Sequence, residues 1–324
     1  MRGQGDKRIL ILLGAMVALA FVQLLVGPGS IGLPPEQAAR SLILWEIRMP
    51  RAVLALVVGA GLGMAGAALQ GYLKNPLAEP SVLGISGGAA VGGVLAIHTG
   101  LAATVALSLP LMGLAGAIIA TALVAFLAGE RSGPLPFILA GVAVASLAGA
   151  LIALILNLTR NPFAATESIF WLMGSLVDRS RYHLFLASPL ILFGMVLLWR
   201  QREALDALTL GDEVAHAVGH DLERLRWHIV LGVALTVGAA TAVTGIIGFV
   251  GLIVPHIMRG LIGPRPSRVL AASAIGGAIL VMAADIGVRL IAPMADIRIG
   301  VVTATLGAPF FAWLVVRMRR GLSA

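Results

Sequence analysis

"WHIVLGVALTVGAATAVTGIIGFVGLIVPHIMRGLI", Trp227 to Ile262, is apolar almost from end to end. As one α-helix its roughly 36 residues would reach about 54 Å, against a bilayer hydrocarbon core of about 30 Å. The segment has to break, and "TGIIGFVGLIVP" supplies Gly245, Gly248, Gly251 and Pro255 to break it. Taken as two crossings, it sets the count for the chain. Helices are expected near residues 9–26, 52–71, 82–98, 103–128, 137–158, 184–199, 227–244, 248–261, 269–288 and 299–316, about ten in all.

Composition places the whole chain in the same class. Of 324 residues, 59% are hydrophobic and 12% charged; soluble domains carry about a quarter charged residues. The mean hydropathy is +1.00. The expected fold class is an all-α polytopic membrane protein whose residues 1–324 form a single transmembrane domain. The first apolar run, Ile9 to Val26, follows Arg2, Lys7 and Arg8 and has the outline of a signal peptide. It runs into Gly27-Pro28-Gly29 without a small-x-small cleavage site, so it reads as a retained helix. The chain has no cysteine, which excludes disulfides, thiolate metal sites and cysteine nucleophiles.

The formal charge of +8 is not a nucleic-acid footprint, because the basic residues stand at the ends of apolar runs. An even helix count puts both termini on one side, and 15 of the 23 Lys and Arg residues, Arg131 among them, fall there. The expectation is cytoplasmic termini in a plasma membrane. The outer side keeps Arg40, Arg48, Arg51, Arg160, Arg179, Arg181, Arg289 and Arg298. Runs such as "GAGLGMAGAALQG" and "SGGAAVGG" suit helices that pack backbone to backbone in lipid.

Two stretches interrupt the apolar pattern. "LKNPLAEPSVLGISGGAAVGG", Leu73 to Gly93, holds Asn75 and Glu79 between Pro76 and Pro80 in a stiff, extended turn, and Ser81 suits a helix N-cap. Such a stretch is either a turn at the membrane surface or a constriction on a pathway. The second, Arg202 to Trp227, interleaves charged and apolar residues, and Gly211 and Gly219 divide it into two short helices. These either dock a soluble partner or lie on the headgroups, the latter disfavoured by their acidic residues.

Chemistry is mostly absent. Lys7 and Lys74 are the only lysines and neither belongs to a GxxxxGK[ST] loop, so any ATP used must bind another chain. His216 and His220 stand i, i+4 but without the glutamate of an HExxH site. No serine, histidine and acid trio has a nucleophile elbow. Asp285 and Arg289, i, i+4 near the outer end of the ninth helix, are the only candidates for intramembrane charge, and they read as a local salt bridge. An ion-coupled secondary transporter is the alternative class.

Several strings together resemble the FecCD-type permease family, the transmembrane subunits of bacterial ABC importers for ferric siderophores, haem and cobalamin. They are "RMPR" at 48–51, "GAALQGYLKNPLAEPSVLGISGGA" at 66–89, "ILAGVAVAS" at 138–146, "LGDEVAHAVGHDLERLR" at 210–226, "GIIGFVGLIVPHIMR" at 245–259, "AADIGVR" at 283–289 and "IGVVTATLGAPFFAWLV" at 299–315. The resemblance implies a type II ABC importer permease fold of ten helices and a homodimer. It also implies two cytoplasmic ATP-binding cassette subunits, which carry ATP and Mg, and a periplasmic substrate-binding protein. By the same resemblance Asn75 and Leu77 lie at the cytoplasmic gate, and helices within about 205–226 couple to the ATPase, with Gly211, Asp212, Glu213, Val214, Ala215 and Gly219 as contact residues. Arg48, Arg51 and Arg289 would meet the binding protein on the outer face, with headgroup anchoring as the other reading. The chain itself is expected to hold no cofactor, metal or catalytic residue. The cargo it implies is a ferric siderophore ahead of haem or cobalamin. Two strings depart from the family: "DIR" at Asp296 to Arg298 replaces "ELP", and "RPSR" at Arg265 to Arg268 replaces "DHR".

Overall fold

A computed structural model describes residues 2–27, 29–32, 37–129, 134–291 and 294–322; Pro28 and Arg131 lie outside the described residues. All ten expected helices are present. They are α1 (Arg2–Leu25), α3 (Met49–Tyr72), α4 (Ile85–His98), α6 (Ser108–Ala128), α7 (Pro134–Leu158), α9 (Arg181–Arg200), α12 (Leu222–Thr244), α13 (Val250–Ile262), α14 (Pro266–Ile291) and α15 (Ile299–Leu322). Shorter helices fill the connections: α2 (Gln37–Leu42), continued by a π-helical turn Ile43–Arg48, then α5 (Leu101–Thr104), α8 (Pro162–Leu172), α10 (Arg202–Leu208) and α11 (Asp212–Ala217). A two-residue hairpin, β1 (Val26–Gly27) with β2 (Ser30–Ile31), follows α1.

Among the described residues 8 helices are long and apolar enough to cross a membrane. The remaining two, α4 and α13, have 14 and 13 residues. At 1.5 Å per residue these reach only about 20 Å, two thirds of a hydrocarbon core. Both begin with a broken backbone. The left-handed Gly84 (φ 71°) precedes α4, so Ser81 is not its N-cap as expected; it lies instead in a 3₁₀ turn, Pro80–Leu83. The expected break in the long apolar segment falls at Gly245 (φ 72°), and α13 starts at Phe249, a left-handed non-glycine residue (φ 65°).

α3 is buried along nearly its whole length, and α12 and α14 along most of theirs; α1, α6, α7, α9 and α15 turn most of their surface outward. Small residues set the spacing at the centre. A Cβ on Gly59 would lie 2.4 Å from the Gly277 carbonyl oxygen, and one on Gly63 only 2.0 Å from that of Ser273. The α3 and α14 backbones thus touch through a four-residue repeat of glycines, the arrangement that stabilises helix pairs by dispersion where lipid supplies no hydrophobic drive. The same device joins α4 to α6 at Gly88 and Gly92, facing Gly116 and Met112. Gly63→Ala is therefore expected to destabilise the detergent-solubilised chain by about 1–3 kcal/mol in thermal or denaturant melts. Gly149→Ala, with nothing within 4 Å of the new Cβ, should leave melting unchanged. Equal behaviour of the two would mean that α3 and α14 do not meet this closely.

Contacts place both termini at one end of the bundle. Arg8 on α1 donates to the Leu261 carbonyl at the end of α13, and Trp313 near the end of α15 stands 6.4 Å from His256. α10 and α11 lie at that end too, tied by the Asp206–Arg265 and Lys74–Asp212 ion pairs. The opposite end carries the Arg51–Asp285–Arg289 cluster.

Candidate functional site

The two polar interruptions of the sequence meet in space. Gln70, buried in the last turn of α3, donates to the Ala78 carbonyl at 3.1 Å and to the Gly251 carbonyl at 3.1 Å. The Glu79 carboxylate accepts from the Phe249 amide. That amide opens α13, where unsatisfied N–H groups and the helix dipole favour an anion, so the carboxylate is held without a cation. Pro80 packs on Gly251, where a Cβ would sit 2.7 Å from the proline ring. The loop between α3 and α4 is thereby stapled to the break between α12 and α13. Irregular backbone at this depth needs such enclosure by protein.

Asn75 and Leu77, the expected gate residues, lie half-buried at the terminal end of this loop. The Asn75 side chain accepts from the Leu77 amide at 2.9 Å, an Asx turn that fixes the loop's bend. The chain has no native cysteine, so a Leu77→Cys reporter labelled by maleimide reads the loop's exposure. In that background Glu79→Leu is expected to raise the labelling rate roughly tenfold, the scale of losing a charge-assisted hydrogen bond. Glu79→Gln, whose amide oxygen accepts the same bond, should restore it; equal labelling in all three would show that the staple does not hold the loop.

Gly211 (φ 113°) and Gly219 (φ 92°) break the polar segment and leave two short helices, α10 and α11, as expected. Residues after Gly219 join α12, which begins at Leu222 with Asp221 as N-cap, accepting from the Glu223 and Arg224 amides at 3.0 and 3.1 Å. α10 buries Ala204, Leu205 and Leu208 against the bundle. α11 does the reverse: only Ala215 is buried, while Glu213 faces out and Leu210, Val214 and Val218 are 71%, 40% and 63% exposed. Of these only Val214 lies on α11 itself; Leu210 precedes the Gly211 break and Val218 caps the helix, so they flank its exposed face. Because α11 ends at Ala217, His216 and His220 do not share a helical face.

Two ion pairs fasten this segment. Lys74 meets Asp212 at 2.6 Å, linking the first turn of α11 to the loop that carries Asn75. Asp206 accepts from Arg265 at 2.7 Å and from the Ser267 amide at 2.8 Å. Partial burial of Asp206 pushes its carboxyl upward, but the Ser267 amide and the Arg265 guanidinium outweigh this and hold it below the usual carboxylate range. The "RPSR" departure is thus the anchor that clamps α10 to α14. Neither pair is legible from the residues alone, since both join positions far apart in the chain.

Arg48, Arg51 and Arg289, expected to meet a binding protein on the outer face, turn their guanidiniums into the bundle. Asp285 is fully buried, and Arg51 and Arg289 both grip it, at 2.7 and 2.6 Å. Arg289 also donates to the Gln23 and Val26 carbonyls at 3.0 and 2.9 Å, and Arg48 to those of Leu24 and Gly32 at 2.7 and 2.9 Å. Gln23 completes the ring with a 3.3 Å bond to Asp285. The three guanidiniums are spent on joining the ends of α1, α3 and α14, because a buried carboxylate and helix-end carbonyls need donors that water does not supply. The expected Asp285–Arg289 salt bridge is present within this larger cluster. In the "DIR" departure, Asp296 and Arg298 pair with each other at 2.9 Å, and Arg298 stacks over Phe170 on α8.

A bundle of this kind, with a broken-helix loop at one end tied to a short helix offering its apolar face outward, defines a polytopic membrane permease. The chain belongs to the FecCD transport family, which matches residues 9–317. It is 38% identical over 314 residues to the vitamin B12 import system permease protein BtuC of Vibrio cholerae, covering 95% of this chain and 93% of that one. It is 39% identical over 278 residues to the Fe(3+) dicitrate transport system permease protein FecD of Escherichia coli, covering 86% of each. A solved metal-chelate type ABC transporter in an inward-facing conformation superposes with a TM-score of 0.87 at 31% identity, over 96% of this chain and 99% of that one. The chain is thus a multi-pass permease subunit of an ABC importer, and ATP hydrolysis lies on a separate subunit.

Proposed function

We propose that this chain moves a bulky metal chelate, an iron-siderophore, haem or cobalamin, inward across a bacterial inner membrane by alternating access. It works as a homodimer with two cytoplasmic ATPases and a periplasmic binding protein, with both its termini in the cytoplasm. The observation that carries this is the Lys74–Asp212 contact, which joins the outward-facing helix α11 to the loop of Asn75 and Leu77. A push on α11 by Gly211 to Gly219 then reaches the gate loop, and through Gln70 and Glu79 the start of α13, as a rigid-body displacement. The binding protein docks at the opposite end, which Arg48, Arg51 and Arg289 brace from within. Relatives named for vitamin B12 and for ferric dicitrate match to the same degree, which supports the chelate class.

Proteoliposomes holding the chain alone should take up no chelate under a proton or sodium gradient. Vesicles with the full complex and internal ATP should accumulate one of the three chelates. Gradient-driven uptake by the chain alone would replace this function with secondary transport.

A further inference from the structure

Behind the Glu79 staple the bundle encloses a small polar cavity. It lies between the loop of Glu79, Pro80 and Ser81, the first turn of α4 and the last turns of α12, and measures about 20 Å³, the room of one water. Its polar lining is Glu79, Ser81, Ser86 and Thr241. The Oε1 atom of Glu79 takes the Phe249 amide, and the Ser81 hydroxyl stands beside the carboxylate. Ser86 and Thr241 are 7% and 3% exposed, and among the described residues neither hydroxyl forms a hydrogen bond. Other helical threonines of this chain behave differently. Thr121, Thr236 and Thr244 each return the hydroxyl to the carbonyl four residues back, at 2.7, 2.8 and 2.9 Å. Thr241 stands on α12 between the last two and does not. A buried hydroxyl without a partner carries a desolvation cost that nothing offsets. Two of them around one cavity, with a carboxylate on its wall, call for a shared partner.

The balance of donors and acceptors selects that partner. The carboxylate only accepts, while Ser86 and Thr241 each have a proton to give. A metal cation would take lone pairs from all three and leave both hydroxyl protons without an acceptor. A water accepts from both hydroxyls and donates to the carboxylate, three bonds in all, the usual number for a buried water. We propose that one buried water bridges Glu79 to Ser86 and Thr241, and that these two residues thereby position the carboxylate that staples the loop of Asn75 and Leu77. The loop is then tied to α4 and α12 through this water, a link nearly as strong as a direct hydrogen bond. The site rests on the Glu79 staple and needs no particular cargo.

Microsecond X-ray irradiation of the purified full-length chain converts bound water to hydroxyl radicals, which oxidise the side chains that touch it, and peptide mass spectrometry reads the positions. Leu62 and Ile247 line the cavity and are 6% and 7% exposed, whereas Leu54 is fully buried away from it. The first two should be oxidised roughly fivefold faster than Leu54, the contrast of a wet with a dry interior site. Thr241→Val, which keeps the shape and removes the hydroxyl, should take away most of that excess, and Thr241→Ser should restore it. In the Leu77→Cys background Thr241→Val should raise maleimide labelling about threefold, the scale of one neutral hydrogen bond, with Thr241→Ser at the wild-type rate. Should Thr241→Val misfold, Ser86→Ala carries both readouts. Oxidation of Leu62 and Ile247 no faster than that of Leu54, or unchanged in both variants, overturns the proposal. Oxidation that disappears in sodium relative to choline at equal ionic strength would put a cation in the cavity and overturn it too. Oxidation reads the water by itself, while Leu77→Cys labelling of Glu79→Leu reads the staple, so the two fail separately.

Discussion

Asp285→Ala is expected to lower the stability of the purified chain by roughly 3–5 kcal/mol, the scale of removing one partner from a buried ion pair. Two cations depend on this one carboxylate: Arg51 donates to both of its oxygens and Arg289 to Oδ2. Its loss leaves them facing each other in a space where Asp285 itself had no solvent exposure. Arg289 would keep the Gln23 and Val26 carbonyls, but those offset only part of a full charge. Asp285→Asn, which still accepts hydrogen bonds but carries no charge, should fall between the alanine variant and wild type. Arg51→Met should cost less than either, because the Asp285–Arg289 pair it leaves is balanced. Denaturant melts in detergent measure the order. Equal melting of Asp285→Ala and wild type would show that water reaches the cluster.

The ordering of these effects also explains what was legible in the sequence. Helix number and placement followed from apolar run length, because a bilayer imposes one period and one length on every crossing. The broken segment followed for the same reason: 36 apolar residues cannot cross once, and glycines mark the place. The partners of the polar residues did not follow. Asp285 and Arg289 are one helical turn apart and could be paired by counting, but Arg51 lies 234 residues from Asp285 and Gln23 lies 262. The same limit hid Glu79 against Phe249 and Asp206 against Arg265. Resemblance supplied where such residues stand in the architecture but not their exposure: Arg48 and Arg289 are buried and Arg51 is half-buried.

Glu213→Lys is expected to reduce ATP-driven uptake at least tenfold while leaving membrane insertion and melting of the chain unchanged. The separation is possible because of how α11 is built. It has six residues, too few to be stable as an isolated helix, and it buries one side chain, Ala215, in its own bundle. Hinge-like glycines bound it on both sides, and Lys74 holds its first turn. Little stability therefore resides in Glu213, whereas a reversed charge beside the exposed Val214 would sit on the face proposed to dock the ATPase. Charge reversal at a docking face costs complementarity rather than fold. Val214→Asp should act in the same direction by placing an unpaired carboxylate on that face, and Glu223→Lys, exposed on α12, should not. Co-purification of the ATPase with each variant separates lost docking from lost transmission: the first two should release it, and a Lys74→Ala variant should retain it yet transport slowly. Full uptake by Glu213→Lys and Val214→Asp would remove α11 from the drive, and the force would then have to enter through α10, whose Asp206 clamp on Arg265 is the remaining rigid link to the bundle.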